Sequence, residues 1–120
     1  MTAIETFFSA WSMSDAAQRS ETIAMAVADD VVYSDPRSDG VLTGQDALSE
    51  YVGNFSANAP GWSATVQKHD VVNGFERAII AFGGPTPDGK VLTQLGTYFG
   101  QCNSEGKLTL IAGFVGTGAE

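Results

Sequence analysis

An α+β fold, with three helices laid on a strongly curved antiparallel sheet, is predicted by two patterns along the chain. Over residues 2–57, apolar side chains recur mostly at helical spacing, broken by one short β-forming run. From Trp62 onward the spacing changes to period two. Turn signals at Asn73-Gly74, Asp88-Gly89 and residues 103–106 cut this half into strands. The 120 residues suffice for one domain, 1–120, around a single core.

Each element has a local reason. Residues 2–12 read as a helix, because Ile4, Phe7, Phe8 and Trp11 fall at i, i+3, i+4 and i+7. Trp11 is a core side chain or, with Phe7, part of a cavity lining. Ser14 and Asp15 can cap a second helix over 15–28, with Ile23, Ala24 and Val27 on one face and Met13 and Met25 as gap fillers. Asp29-Asp30 is expected to be a solvated turn, since acidic charge opposes a helix C-terminal dipole. Val31, Val32 and Tyr33 are β-formers and read as a short strand. Pro36 ends it for want of an N–H and biases Asp35 toward extended backbone. Asp39-Gly40 turns the chain, and Val41-Leu42 returns as a second short strand. Thr43, with Asp46 three residues on, reads as the N-cap of a helix over 45–57. Leu48, Tyr51, Val52 and Phe55 form its stripe, Gly53 weakens it, and Pro60-Gly61 stops it.

Strands are expected over 63–72, 75–82, 91–102 and 107–116, joined by hairpins into a meander. Gly96, Gly100 and Gly113 inside these runs predict bends, hence curvature. Helices crossing the concave side of such a sheet leave a conical pocket. The convex face needs its own cover, and a second subunit is the expected one.

Composition narrows the function. The net charge is −8, with six scattered basic residues. Nucleic acid and anionic membrane need clustered Lys and Arg, so neither is an expected partner. One cysteine, Cys102, permits no internal disulfide, and no Cys/His set suits a structural zinc. No metal or other cofactor is called for. No apolar run approaches membrane-spanning length, and residues 1–11 lack a basic n-region and carry Glu5. A reducing cytoplasm is the expected setting.

Few residues invite chemistry. Asp35 is a general base or polar anchor in an apolar pocket, or it only hydrogen-bonds its own Asp-Pro turn. Tyr33, two residues earlier, shares its strand face, so both can point into one cavity; Tyr33 also suits the core. His69 is the one histidine and a candidate acid or base, although Lys68 and Asp70 beside it suggest an exposed hairpin. Parity groups it with Thr65 and Gln67 but leaves open which side they face. In the long strand, Val91, Thr93, Leu95, Thr97 and Phe99 share one face; Leu92, Gln94, Gly96, Tyr98 and Gly100 share the other. Cys102 reads as an inert thiol.

Four stretches, in order, are FFSAWSMSD, VADDVVYSDP, TGQDALSEYV and the C-terminal IAGFVG. Their order and spacing resemble the nuclear-transport-factor-2-like superfamily, in particular its SnoaL-like proteins, over nearly the whole chain. The resemblance implies a cone-shaped α+β barrel, usually dimeric, with an apolar pocket. Here that pocket would be lined by Phe7, Trp11, Tyr51, Phe55, Leu95, Thr97, Phe99 and Phe114. It would set Thr97 inward and Tyr98 on the convex face as a dimer contact. The superfamily includes ketosteroid isomerases, polyketide cyclases, limonene-epoxide hydrolases, scytalone dehydratases and non-enzymatic members, so fold alone does not fix function.

Laid over this chain, the ketosteroid-isomerase pattern puts its base at Asp35-Pro36. Its two oxyanion donors fall near Phe7, which has none to give, and Thr97, whose hydroxyl is weak. Losing one such donor costs on the order of 100- to 1000-fold in rate, so that activity is not expected. The epoxide-hydrolase Asp–Arg–Asp set finds Arg77 but no acid on the late strands. The cyclases lack their late-strand acid for the same reason, and the dehydratase's two histidines meet only His69. The expected function is therefore binding of a small hydrophobic, ring-containing molecule. Any catalysis would be cofactor-free proton transfer (isomerisation, cyclisation or elimination) with Asp35 as base and Tyr33 or His69 as partners. The alternative is a non-catalytic binding or assembly module whose cone is filled by Trp11, Tyr51, Phe55 and Phe114. Transport-factor-like protein binding would instead require an exposed apolar patch.

Overall fold

Helix α1 (Ala3–Ser9) begins where Thr2 and Glu5 close a capping box, each side chain bonding the other's backbone N–H. It tightens into a 3-10 turn, Ala10–Ser12, which carries Trp11 inward on the same stripe as Ile4, Phe7 and Phe8. Helix α2 (Ala16–Ala26) is capped by the Asp15 carboxylate, which accepts from the N–H groups of Ala17 and Gln18 at 2.9 and 3.3 Å. It buries Thr22, Ile23 and Ala26, while Met25 is exposed rather than filling a gap. These assignments come from a computed structural model that describes residues 2–118.

The second helix stops two residues short of expectation. Strand β1 (Val27–Ser34) starts at once and takes in Asp29 and Asp30, both exposed. Val27 pairs with Leu108 and Val32 with Leu110, so the register slips across the acidic pair. Sheet pairing outweighs the helical reading of Val27-Ala28. Strand β2 (Leu42–Thr43) pairs with β1, and helix α3 (Gln45–Asn58) follows. Its N-cap is Gly44 at φ 94°, with no side-chain cap bond, because Thr43 is held in β2. Gly53 is more than a weakness in α3. A Cβ there would lie 2.9 Å from the Arg19 guanidinium, which reaches across from α2.

Strands β3 (Ser63–Val72), β4 (Phe75–Pro85), β5 (Val91–Cys102) and β6 (Leu108–Val115) form the predicted meander. Asn73 and Gly74, at φ 53° and 82°, make the first hairpin turn. The six-stranded sheet has the order β2-β1-β6-β5-β4-β3. Its β1–β6 pairing is parallel and the rest are antiparallel, so the sheet is mixed and open rather than a closed barrel. The three helices pack on it in the cone-shaped α+β arrangement. Between the layers lies one apolar core, including Ile4, Phe7, Phe8, Trp11, Ile23, Tyr33, Leu48 and Ile80. Its aromatic rings meet at centroid separations from 4.9 to 6.2 Å, mostly edge to face. Such pairs contribute roughly 0.5–1.5 kcal/mol each beyond burial.

Register fixes the faces. Phe82, Ile80, Ala78 and Glu76 of β4 are opposite Gln94, Gly96, Tyr98 and Gly100 of β5, and this is the concave side. Thr97 and Phe99 therefore face outward, the reverse of the sequence expectation, while Leu95 on the same strand still borders the cavity, as expected. The reason is room. Gly113 is opposite Tyr98, and a Cβ there would overlap the Tyr98 ring. The glycine expected to mark a bend is the space into which Tyr98 packs.

Candidate active site

Asp35 leaves β1 at its end, and Pro36 starts the turn after it. Its Oδ1 accepts the backbone N–H groups of Arg37 and Ser38 at 2.9 and 2.8 Å, so the Asp-Pro turn does fix this carboxylate. That leaves the rest of the group facing inward. Tyr51 of α3 donates to Oδ1 at 2.7 Å, Tyr33 of β1 to Oδ2 at 2.6 Å, and Tyr98 of β5 to Oδ2 at 3.4 Å. The chain has three tyrosines, and all three point at this one carboxylate.

Burial, more than any other cause, drives all three hydroxyls well above the ordinary tyrosine range, and the Asp35 charge pushes the same way. They are donors, not acids, at neutral pH. Arg37 acts in the opposite sense on Tyr51 and Tyr98, so its guanidinium lies within electrostatic reach of both.

The carboxylate borders a cavity of ≈ 710 Å³. Trp11, Tyr51, Phe55, Trp62, Phe82 and Tyr98 line it, with Gln94 and Arg37 near Asp35. Leu95 and Phe114 also line it while 37% and 57% exposed, which sets them at its mouth. The Trp11 indole N–H has no hydrogen-bond partner among the described residues. A second hollow of ≈ 660 Å³ shares Arg37, Tyr51, Phe55 and Trp62 with the first and continues over Pro60, Pro85 and Pro87.

Several expected site residues lie elsewhere. Phe7 is fully buried beneath the site, packed on Phe8, Trp11 and Tyr33. The Thr97 hydroxyl donates to the Gly116 carbonyl at 2.7 Å, because its strand face is the outer one. Phe99 is also outside, 44% exposed and edge-on to Phe114. Tyr98, assigned to the convex face, is instead 4% exposed in the cone.

His69 does not join Asp35. A register shift between Val66 and Lys68 breaks the parity with Thr65 and moves His69 to the concave side. There its Nε2 sits 2.6 Å from Glu76 Oε1, with a side chain only 15% exposed. The Cys102 thiol donates to the other Glu76 oxygen at 2.7 Å. Burial, helped by Glu76, pushes that thiol up to about 12, so it is the unreactive form. Among the described residues, no His, Cys, Asp and Glu cluster could hold a metal ion.

Sequence reading missed Glu76, Phe82, Arg37 and Trp62. For Glu76 and Phe82 the signal was present, since both are in phase with buried Ala78 and Ile80. Arg37 and Trp62 sit in turns, where no periodicity assigns a direction.

These elements, three helices on an open six-stranded sheet with a carboxylate on the wall of an aromatic hollow, define a cone-shaped α+β fold. The chain belongs to the SnoaL-like domain family, whose model matches residues 4–109. A SnoaL-like family protein from Agrobacterium tumefaciens, with a provisional isomerase assignment, superposes with TM-score 0.81 at 23% identity, covering 96% of this chain and 95% of that one. A protein of ketosteroid isomerase-like fold from Catenulispora acidiphila, solved in complex with trimethylamine, gives 0.76 at 15%, covering 94% and 85%. An epoxide hydrolase from M. tuberculosis gives 0.70 at 13%, covering 95% and 80%. At these identities the likeness is one of fold. No curated protein sequence matches the chain.

Proposed function

We propose that the cone binds a small, ring-bearing carbonyl compound and that Asp35 moves a proton on it without a cofactor. One observation carries this reading: the Asp35 carboxylate borders the aromatic cavity, and its weakest hydrogen bond is the 3.4 Å one to Tyr98. A carbonyl oxygen entering the cavity can take over the Tyr98 hydroxyl, which frees a lone pair of Oδ2. The base and a donor then lie on either side of one enolisable unit. Asp35 accepts the α-proton, the oxygen gains electron density against the Tyr98 O–H, and the proton returns to the same or another carbon. Tyr33 and Tyr51 hold the carboxylate in place meanwhile. The open volume between Trp11, Tyr51, Phe55 and Phe114 supports a ligand-binding cone over a filled one. The Catenulispora relative's trimethylamine supports the view that cones of this fold admit small organic molecules.

The reading extends to a homodimer through the outer sheet face, where Phe75, Phe99, Leu110 and Phe114 are 41–59% exposed. No helix among the described residues is long and apolar enough to cross a membrane.

The test is deuterium exchange at the α-carbons of 2-tetralone and related cyclic ketones, followed by NMR. The wild type should accelerate exchange. Asp35→Asn should lose about 100-fold or more, and Tyr98→Phe on the order of 10- to 100-fold. Binding without exchange, or equal exchange in Asp35→Asn, would sink the proposal.

A further inference from the structure

Among the described residues, Arg37 is the one cation lining either hollow, and Asp35 is the one acid. In a chain of net charge −8, its guanidinium has no carboxylate partner among the described residues. The described ion pairs are His69–Glu76 and Arg77–Asp70. Arg37 instead donates from Nη2 to a neutral oxygen, Gln94 Oε1, at 2.9 Å. Asp35, two residues away, takes the Arg37 backbone N–H and not its side chain. A guanidinium has five N–H donors in a planar fork. In the described structure one of those five is used.

Its position matters as much as its charge. Arg37 lines both hollows, together with Tyr51, Phe55 and Trp62. It therefore stands at their junction, beside the chamber that holds Asp35. The outer chamber adds the Asn54 and Asn58 amides, which make no side-chain hydrogen bond in the described structure, and a floor of prolines. A ring filling the inner chamber would present a substituent toward Arg37.

We propose that Arg37 anchors a carboxylate, so that the site selects ring compounds carrying an acid group. This rests on the ring-binding reading above and adds the substrate's charge. A single planar fork with no second cation suits a carboxylate, which it can meet with two parallel hydrogen bonds. The chain's overall negative charge does not overrule this. Surface charges are screened beyond about 8 Å at physiological salt, whereas the fork would touch its ligand. Asp35, the like charge on the same cavity wall, already faces three tyrosine hydroxyls and two backbone N–H groups.

The probes are 2-naphthoate and its neutral counterpart 2-acetonaphthone. Binding is read by quenching of Trp11 and Trp62 fluorescence, since both indoles line the cavity. Wild type should bind naphthoate at least tenfold more tightly, with a preference that shrinks at high salt. In Arg37→Gln the ratio of the two affinities should collapse toward one, and Arg37→Lys should restore only part of it. Equal affinities in the wild type, or a ratio unchanged in Arg37→Gln, would overturn the assignment. Acetonaphthone binding with naphthoate excluded would overturn it and leave the ring-binding reading standing. Binding of neither would overturn both.

Discussion

Asp35 and Glu76 are two carboxylates on the concave side of one sheet, and each is surrounded by donors. Asp35 sits at the end where β4 and β5 meet the cavity; Glu76, opposite Gly100, sits farther along the same strands, away from it. Glu76 is 7% exposed and closed in by His69 and Cys102. Asp35 is only partly buried and borders open space. Both solve the same problem, since an ion withdrawn from water must regain hydrogen bonds. Donors alone therefore do not mark a reactive carboxylate. The difference, on which the role proposed for Asp35 rests, is the hollow beside it and the long 3.4 Å bond from Tyr98.

Closing the space is the strongest way to break the contrast. Gly113→Ala should drive Tyr98 from its seat, because the new methyl would overlap the ring. A cost of roughly 1–3 kcal/mol in unfolding free energy is expected, with loss of ketone exchange. Thermal unfolding and the exchange assay together check this, and an unchanged melting point with full exchange would refute the packing argument.

A milder change sharpens the contrast from the other side. Glu76→Gln removes the charge that helps raise Cys102 and turns one of the two acceptor oxygens into a donor, while burial, the larger cause, remains. The folded thiol is raised from an ordinary 9.0 to about 12. Its contribution to stability is thus complete below pH 9 and is lost as pH climbs toward 12. In Glu76→Gln that window narrows, and alkylation of Cys102 at pH 9 should run several-fold to about tenfold faster. Ketone exchange should stay within about twofold of wild type, because Glu76 lines no part of the cavity. Slower alkylation would refute the Glu76 effect on the thiol, and exchange lost along with the Glu76 charge would tie the two sites together.

Much of this was legible from residue pattern. The stripe of Ile4, Phe7, Phe8 and Trp11, the Asn73-Gly74 hairpin and the period-two half gave the layers. Asp35 and Tyr33 could be joined by parity, and Tyr51 by its helical stripe. What failed was direction. Parity sorts Thr97 from Tyr98 without saying which is inside, and a placement borrowed from other proteins chose the wrong one. His69 failed for a different reason, since one extra residue in β3 reverses every face after it. The helical reading of Val27 and Ala28 failed because the partner of Val27 in β6 is Leu108, far along the chain and beyond the reach of local propensity.

The central claim is that all three tyrosines donate to Asp35 at the cavity wall. Spectrophotometric titration at 295 nm tests it directly, because the chain has no other tyrosine to contribute signal. With each hydroxyl raised, stability from this array is complete below pH 10 and lost only as pH rises through the higher folded values. The folded wild type should therefore show almost no tyrosinate up to about pH 11, with absorbance appearing on alkaline unfolding. In Asp35→Asn, Tyr51 and Tyr98 should ionise at lower pH than in wild type. A wild-type transition near pH 10 with the fold intact by circular dichroism would contradict the account.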